Sequence, residues 1–216
     1  MTLLRVDSSI RTDGSVSREV ADALEEAWSL HHPGPVVRRD LGRDPLPAQA
    51  WSAAVSAAST PEAARSPQQR AAVAFAAGLA DEVLAADAIV VASPLYNFGV
   101  PQHLKTWIDL LITDPRLGPG TTPLTGRPLA LVIARGGGYG PGTPRAGWDH
   151  ATPYLQQIFG AVLGADVTLV EAELTLASVV PAMASLVQQA EQLRVRAREL
   201  AAETGRALAE RVAVAA

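Results

Sequence analysis

The run Ala88-Ile89-Val90-Val91-Ala92 carries no polar side chain at any position. A strand with one wet face alternates polar and apolar residues, whereas a strand covered on both faces reads as an unbroken apolar run. This run therefore predicts a central strand between two layers. Four more short apolar runs, at 3–6, 36–39, 129–134 and 167–170, are each followed by a turn-rich segment and usually by a helical pattern. Strands alternating with helices predict an α/β fold, a doubly wound five-stranded parallel sheet with helices on both faces. At 216 residues the chain is long enough for one domain with a substantial core, so residues 1–216 are read as a single unit.

The helical stretches have readable ends. The first covers 16–30 and stops before Pro33-Gly34. The second opens at Ser66-Pro67-Gln68-Gln69, which combines a Ser N-cap, Pro at the first helical position and Gln at the third. It runs to about residue 85. A third follows Pro101 through Leu111, a fourth occupies 149–163, and the last extends from Pro181 toward the C-terminus, with Gly205 as its weak point. The Ala- and Pro-rich stretch 41–58 reads as a connector with one short helix. The stretch 115–128 reads as another long connection, and long loops in compact domains are often functional.

Composition removes several classes of function. There is no cysteine, which excludes disulfides, thiol nucleophiles and Cys-ligated metals or clusters. The formal net charge of −4 argues against a nucleic-acid footprint. The four histidines, His31, His32, His103 and His150, lack metal-ligand spacing, so no metal site is expected. No apolar run is long enough to span a membrane, and the N-terminus enters a strand-like run directly, so the expected location is the cytoplasm. G-x-G-x-x-G, Walker A and G-x-S-x-G motifs are all missing.

In open α/β sheets ligands bind beyond the C-terminal ends of the strands. Three loops at such ends stand out. After the first strand comes Ser8-Ser9-Ile10-Arg11-Thr12-Asp13-Gly14-Ser15-Val16-Ser17, rich in hydroxyls and opening a helix. Helix N-termini present unpaired N–H groups that suit phosphate, though Ser15 or Ser17 acting simply as a helix cap explains the same residues. After the third strand comes Ser93-Pro94-Leu95-Tyr96-Asn97-Phe98-Gly99-Val100-Pro101. Its prolines, aromatics and amide suit a planar ring, and equally an ordinary turn with two buried aromatics. After the fourth comes Ala134-Arg135-Gly136-Gly137-Gly138-Tyr139-Gly140, whose glycines admit a ligand edge or merely loosen a loop.

Together these segments resemble the FMN-dependent NADH:azoreductase and NAD(P)H:quinone reductase family, of flavodoxin-like fold. The most specific stretch is 93–101 continued by Gln102-His103-Leu104-Lys105-Thr106-Trp107-Ile108-Asp109, where the family typically reads P-M-Y-N-F, a spacer, then L-K-x-x-x-D. Ser8-Ser9 with Ser15-x-Ser17, then Arg135-Gly136-Gly137, Thr152-Pro153-Tyr154-Leu155 and Ala172-Glu173 extend the resemblance over nearly the whole chain. The resemblance implies that Ser9, Ser15, Val16 and Ser17 hold the FMN phosphate. It implies that Pro94, Leu95, Tyr96, Asn97 and Phe98 lie along the isoalloxazine, and that Ala134, Arg135, Gly136 and Gly137 contact its pyrimidine end. Tyr139 and Trp148, in a longer Gly-rich segment, are candidates for the substrate pocket.

Three residues depart from the family pattern. Leu95 replaces Met, Ala134 replaces Ser or Thr, and Leu174 stands where the family often has Gly. The connection from Asp109 to the fourth strand is shorter than usual, and in the family this connection and the Gly-rich segment wall the substrate pocket.

The implied activity is ping-pong two-electron transfer from NADH or NADPH, through FMN, to a quinone or azo acceptor. No catalytic protein acid or base is named. The implied assembly is a homodimer with the flavin site at its interface, with which the apolar set Trp107, Leu110, Leu111 and Ile112 is compatible, though the same set is explained equally by packing on the sheet. Three alternatives stay open: a reductase for a quinonoid biosynthetic intermediate, a flavodoxin-like electron carrier, and a non-redox protein on this scaffold that has lost FMN. The mild charge counts against the carrier.

Overall fold

The computed structural model describes every residue except Pro33 and Ala216, and the backbone alone of Ala215. Five strands, β1 (Leu3–Asp7), β2 (Val36–Asp40), β3 (Ala88–Pro94), β4 (Pro128–Ala134) and β5 (Asp166–Ala172), form one all-parallel sheet in the order β2-β1-β3-β4-β5. β3 is central and buried along its whole length, as its sequence requires. The pleat sends Ile89 and Val91 to one face and Ala88, Val90 and Ala92 to the other.

Helices cover both faces. α1 (Val16–His31) and α6 (Val187–Ala215) pack on the face that carries Ala88, Val90, Ala130 and Val132. α2 (Ala50–Ala58), α3 (Pro67–Ala85), α4 (Gln102–Thr113) and α5 (Thr152–Gln156, continued as a π-helical turn over Gln157–Val162) pack on the other, against Ile89, Val91, Leu129 and Leu131. The capping box at the start of α3 is complete: Ser66 Oγ accepts from the Gln69 amide at 3.2 Å, and Gln69 Oε1 accepts from the Ser66 amide at 2.8 Å. The predicted stop at Pro33-Gly34 falls partly on Pro33, which lies outside the described residues. The helix itself ends at His31.

Two expectations need correction. Gly205 is not a weak point in α6. It is where α6 crosses α1: a Cβ there would stand 2.2 Å from the Leu24 carbonyl oxygen and 3.1 Å from the Trp28 nitrogen. The apolar set on α4 is not a free surface either. Trp107, Leu110 and Leu111 are buried in the core, and Ile112 packs against the same cluster. The 115–128 connection is packed rather than loose. Leu117 and Leu124 anchor it to the core, the Leu124 amide donates to the Leu163 carbonyl at 2.8 Å, and it enters β4 at Pro128. That entry lies at the opposite end of a seven-residue strand from Ala134, about 20 Å away at 3.3 Å per residue.

Candidate functional site

β1, β3 and β4 end side by side at Asp7, Pro94 and Ala134, and the loops that follow them surround one cavity of about 360 Å³. The first loop contributes Ser9, Ser15, Val16 and Ser17, and also Arg11 and Gly14. Ser15 is the N-cap of α1, with extended backbone, so the first turn of the helix points its N–H groups at the cavity. Among the described residues, the amides of Val16 and Ser17 donate to no protein acceptor. Ser15 Oγ and Ser17 Oγ lie 3.3 Å apart, and Ser9 Oγ lies 3.3 Å from the Tyr96 hydroxyl, which joins the first loop to the second. Ser8 is committed elsewhere: its amide and hydroxyl both donate to the Ala92 carbonyl at 3.0 Å.

Arg18 holds this loop in shape. Its Nη2 donates to the Ser9 carbonyl at 2.8 Å and its Nε to the Arg11 carbonyl at 3.1 Å. The same guanidinium is bidentate on Asp40, at 2.6 and 2.7 Å. Burial opposes ionisation of Asp40, but the bonds from Arg18 and from the Arg43 and Gly42 amides outweigh it and hold the carboxyl below its usual range. Gly42 comes so close that a Cβ would stand 2.0 Å from the Ser9 carbonyl oxygen.

The second loop contributes Pro94, Leu95, Tyr96, Asn97 and Phe98. It is a tight reversal: the Gly99 amide donates to the Tyr96 carbonyl at 2.9 Å, and Tyr96 and Gly99 form an isolated bridge. Both central residues are left-handed, Asn97 at φ 49° and Phe98 at φ 66°. Asn tolerates that region, whereas Phe adopts it only where surrounding structure imposes it. Phe98 is 37% exposed, and its ring meets Tyr139 at 6.5 Å and Trp148 at 5.5 Å, both edge to face.

The third loop divides. Ala134, Gly136 and Tyr139 line the cavity, while Arg135, Gly137 and Trp148 do not. The Arg135 side chain is buried and turns into an acidic knot, ion-paired with Asp149 at 2.9 Å, with Glu173 at 3.0 Å and with the more exposed Glu171. A Cβ on Gly136 would press on the Leu176 side chain at 2.7 Å, and one on Gly137 on Arg145 Nη1 at 2.9 Å. The loop is turned back on itself rather than slack: Thr143 Oγ1 donates to the Gly140 carbonyl at 2.7 Å and the His150 amide to the Phe98 carbonyl at 3.0 Å.

Sequence reasoning missed Arg11, Gly14, Arg145, Thr175 and Leu176, which also line the cavity. Thr175 and Leu176 follow β5, so the strand-end rule applied to a fourth loop would have found them. Their amides donate to the carbonyls of Arg135 and Gly136 at 3.0 and 3.2 Å, stitching the two loops together. Nothing in the sequence marks Arg145. Leu174 has φ 58°, the left-handed backbone that the family's usual Gly adopts without strain.

A cavity at the C-terminal edge of a 2-1-3-4-5 sheet, where the chain reverses its direction of winding, defines a flavodoxin-like protein. The flavodoxin-like fold family matches residues 1–197. The FMN-dependent NADH:quinone oxidoreductase of Parafrankia sp. is 41% identical over 204 residues, 92% of this chain and 96% of its own. The chain belongs to that family. Among solved structures, azoreductase from Bacillus anthracis str. Sterne is 26% identical with a TM-score of 0.76, covering 95% of this chain and 99% of its own. An FMN-dependent NADH-azoreductase from Bacillus anthracis str. Ames Ancestor, in complex with FMN, shares the fold at a TM-score of 0.79 and 20% identity, covering 97% of this chain and all of its own.

Proposed function

We propose that this chain is an FMN-dependent NAD(P)H oxidoreductase that reduces quinones and azo compounds by a ping-pong cycle, the oxidised donor leaving before the acceptor enters. The observation that carries the reading is the meeting of the three strand-end loops at one cavity with two unpartnered helix-start amides. Its support from outside the chain is the 41% identity to an NADH:quinone oxidoreductase named for FMN.

The residues present fit the group. A phosphomonoester would have the α1 N-terminus and the Ser9, Ser15 and Ser17 hydroxyls to receive it, with Arg11 on the same loop as a source of positive charge. A flat ring has Leu95 and the Asn97-Phe98 reversal along one side and the Ala134–Gly136 backbone at its edge, with Arg135 and Gly137 supporting that backbone from outside the cavity. Bound there, FMN supplies the two-electron chemistry, with NAD(P)H + H⁺ + quinone becoming NAD(P)⁺ + hydroquinone. The protein would position the ring, and this reading calls on no acid or base of its own.

The whole chain serves as one domain for this task, in the cytoplasm where NAD(P)H is supplied. We propose further that it works as a homodimer with the flavin site at the interface. The exposed Phe98 and Trp148 at the cavity rim support this. The purified protein is expected to be yellow, or to take up FMN on reconstitution, and to oxidise NADH with menadione or an azo dye without any protein partner. Colourless protein that takes up no FMN overturns the reading. Yellow protein that turns over only with an added redox protein makes it an electron carrier.

A further inference from the structure

Two arginines and no acidic residue line the cavity. They stand on different loops. Arg11 belongs to the first loop, where its amide donates to Ser9 Oγ at 3.2 Å and its carbonyl accepts from Arg18. A phosphomonoester carries a charge of about −1.5 to −2 near neutral pH, and the α1 N-terminus and Arg11 together answer it. Arg145 is left over. Among the described residues it forms no ion pair, whereas Arg135, at the root of the same loop, holds three carboxylates.

The Arg145 side chain is exposed and, among the described residues, its guanidinium makes no hydrogen bond. Its guanidinium lies 6.0 Å from the centroid of the Phe98 ring and against the bare backbone of Gly137. Its carbonyl accepts from the Trp148 amide at 3.1 Å, and the Trp148 ring packs on Phe98 from another direction. The Ala146 amide beside it donates to the Thr143 carbonyl at 3.2 Å. The result is an unneutralised, fork-shaped cation next to a flat aromatic surface at the cavity wall. A ligand complementary to it is aromatic and carries an anionic group at its edge, where a guanidinium binds carboxylate or sulfonate in two parallel bonds.

We propose that Arg145 is a specificity-determining residue for the electron acceptor, and that the preferred acceptors are anionic aromatics, quinones or azo compounds bearing a carboxylate or sulfonate on the ring. This rests on the reductase reading given above.

The test compares a naphthoquinone sulfonate with its unsulfonated parent by kcat/KM in the wild type, Arg145→Gln and Arg145→Lys, all as holoenzyme. The ratio of the two values is the readout, and comparing that ratio between proteins cancels the difference in reduction potential between acceptors. We expect Arg145→Gln to lower the sulfonate-to-parent ratio about tenfold, a single charge-assisted pair, and Arg145→Lys to retain part of it. Raising ionic strength should lower the wild-type ratio and leave that of Arg145→Gln nearly level.

A ratio unchanged by Arg145→Gln in a yellow, active enzyme overturns this inference alone. Loss of FMN from Arg145→Gln overturns it by assigning the residue to the cofactor. A matching fall in the rate of flavin reduction by NADH or NADPH overturns it by assigning the residue to the donor. A colourless wild type that takes up no FMN sinks the reductase reading itself, and this inference with it.

Discussion

Asn97 and Phe98 show how much of the site is set by single backbone angles. Both sit at positive φ, and only the amide of Asn suits that region. Asn97→Ala therefore loses a polar group facing the cavity and also strains the turn by about 1 kcal/mol. We expect the fold to persist, with weaker FMN binding and a large loss of turnover. Asn97→Gly separates the two effects, since glycine keeps the turn without the amide. FMN titration of both variants, with thermal unfolding alongside, checks this: flavin affinity and kinetics equal to wild type in Asn97→Ala remove the residue from the site.

Asp40 is the other telling residue. Its carboxyl is held below the usual range by Arg18 and by two loop amides, so its contribution to stability is present above its unfolded pKa of about 3.9 and is lost as pH falls through the folded value. Asp7 acts in the opposite sense, because burial raises its carboxyl despite Arg5 and Arg18. The difference between wild type and Asp40→Asn isolates Asp40. At neutral pH the variant should be less stable by about 2 kcal/mol, the scale of hydrogen bonds to a charged group. That gap should close on acidification below about pH 4. Urea unfolding across the acid range measures it, and a gap independent of pH refutes the linkage. Because Arg18 also grips the Ser9 and Arg11 carbonyls, Asp40→Asn should weaken FMN more than riboflavin.

Among the elements, α6 is the one whose sequence misleads. Helix propensity favours Gly205→Ala by about 1 kcal/mol. The contact with α1 reverses that sign, because the new methyl would stand 2.2 Å from a backbone carbonyl oxygen. The helices must separate, and overpacking of this kind costs about 1–3 kcal/mol. We expect Gly205→Ala to be destabilised by about 2 kcal/mol in urea unfolding. A stabilised variant overturns the reading of Gly205 as the point of contact. Elements with local signals were legible beforehand: the Ser66–Gln69 box marked the start of α3, and the apolar run at 88–92 marked β3. The Arg135 knot was not, since its carboxylates come from Asp149, Glu171 and Glu173, far along the chain.

For the whole molecule the outstanding question is assembly. The α4 residues that looked available for a partner are consumed by the chain's own core, and the proposed dimer instead uses the exposed Phe98 and Trp148 beside the cavity. Sedimentation should return about twice the chain mass of 22.6 kDa, and Trp148→Asp, which replaces an exposed aromatic with a charge, should shift the protein toward that single-chain value. A monomer in the wild type, active and yellow, removes the dimer while leaving the reductase reading in place.

What the sequence determined alone is local or periodic. The strands, most helix ends, the doubly wound class and the three strand-end loops follow from apolar period, capping and the rule for where ligands sit, all of which act over a few residues. Tertiary structure decided what depends on distant residues meeting. It sent the Arg135 side chain out of the cavity and brought Arg145 in, placed Thr175 and Leu176 on the wall, forced Phe98 and Leu174 to positive φ, and turned Gly205 from a weak point into a point of contact. A side chain's partners and the space beside a glycine are set by whichever segment packs there, and that segment lies outside any window of neighbouring residues.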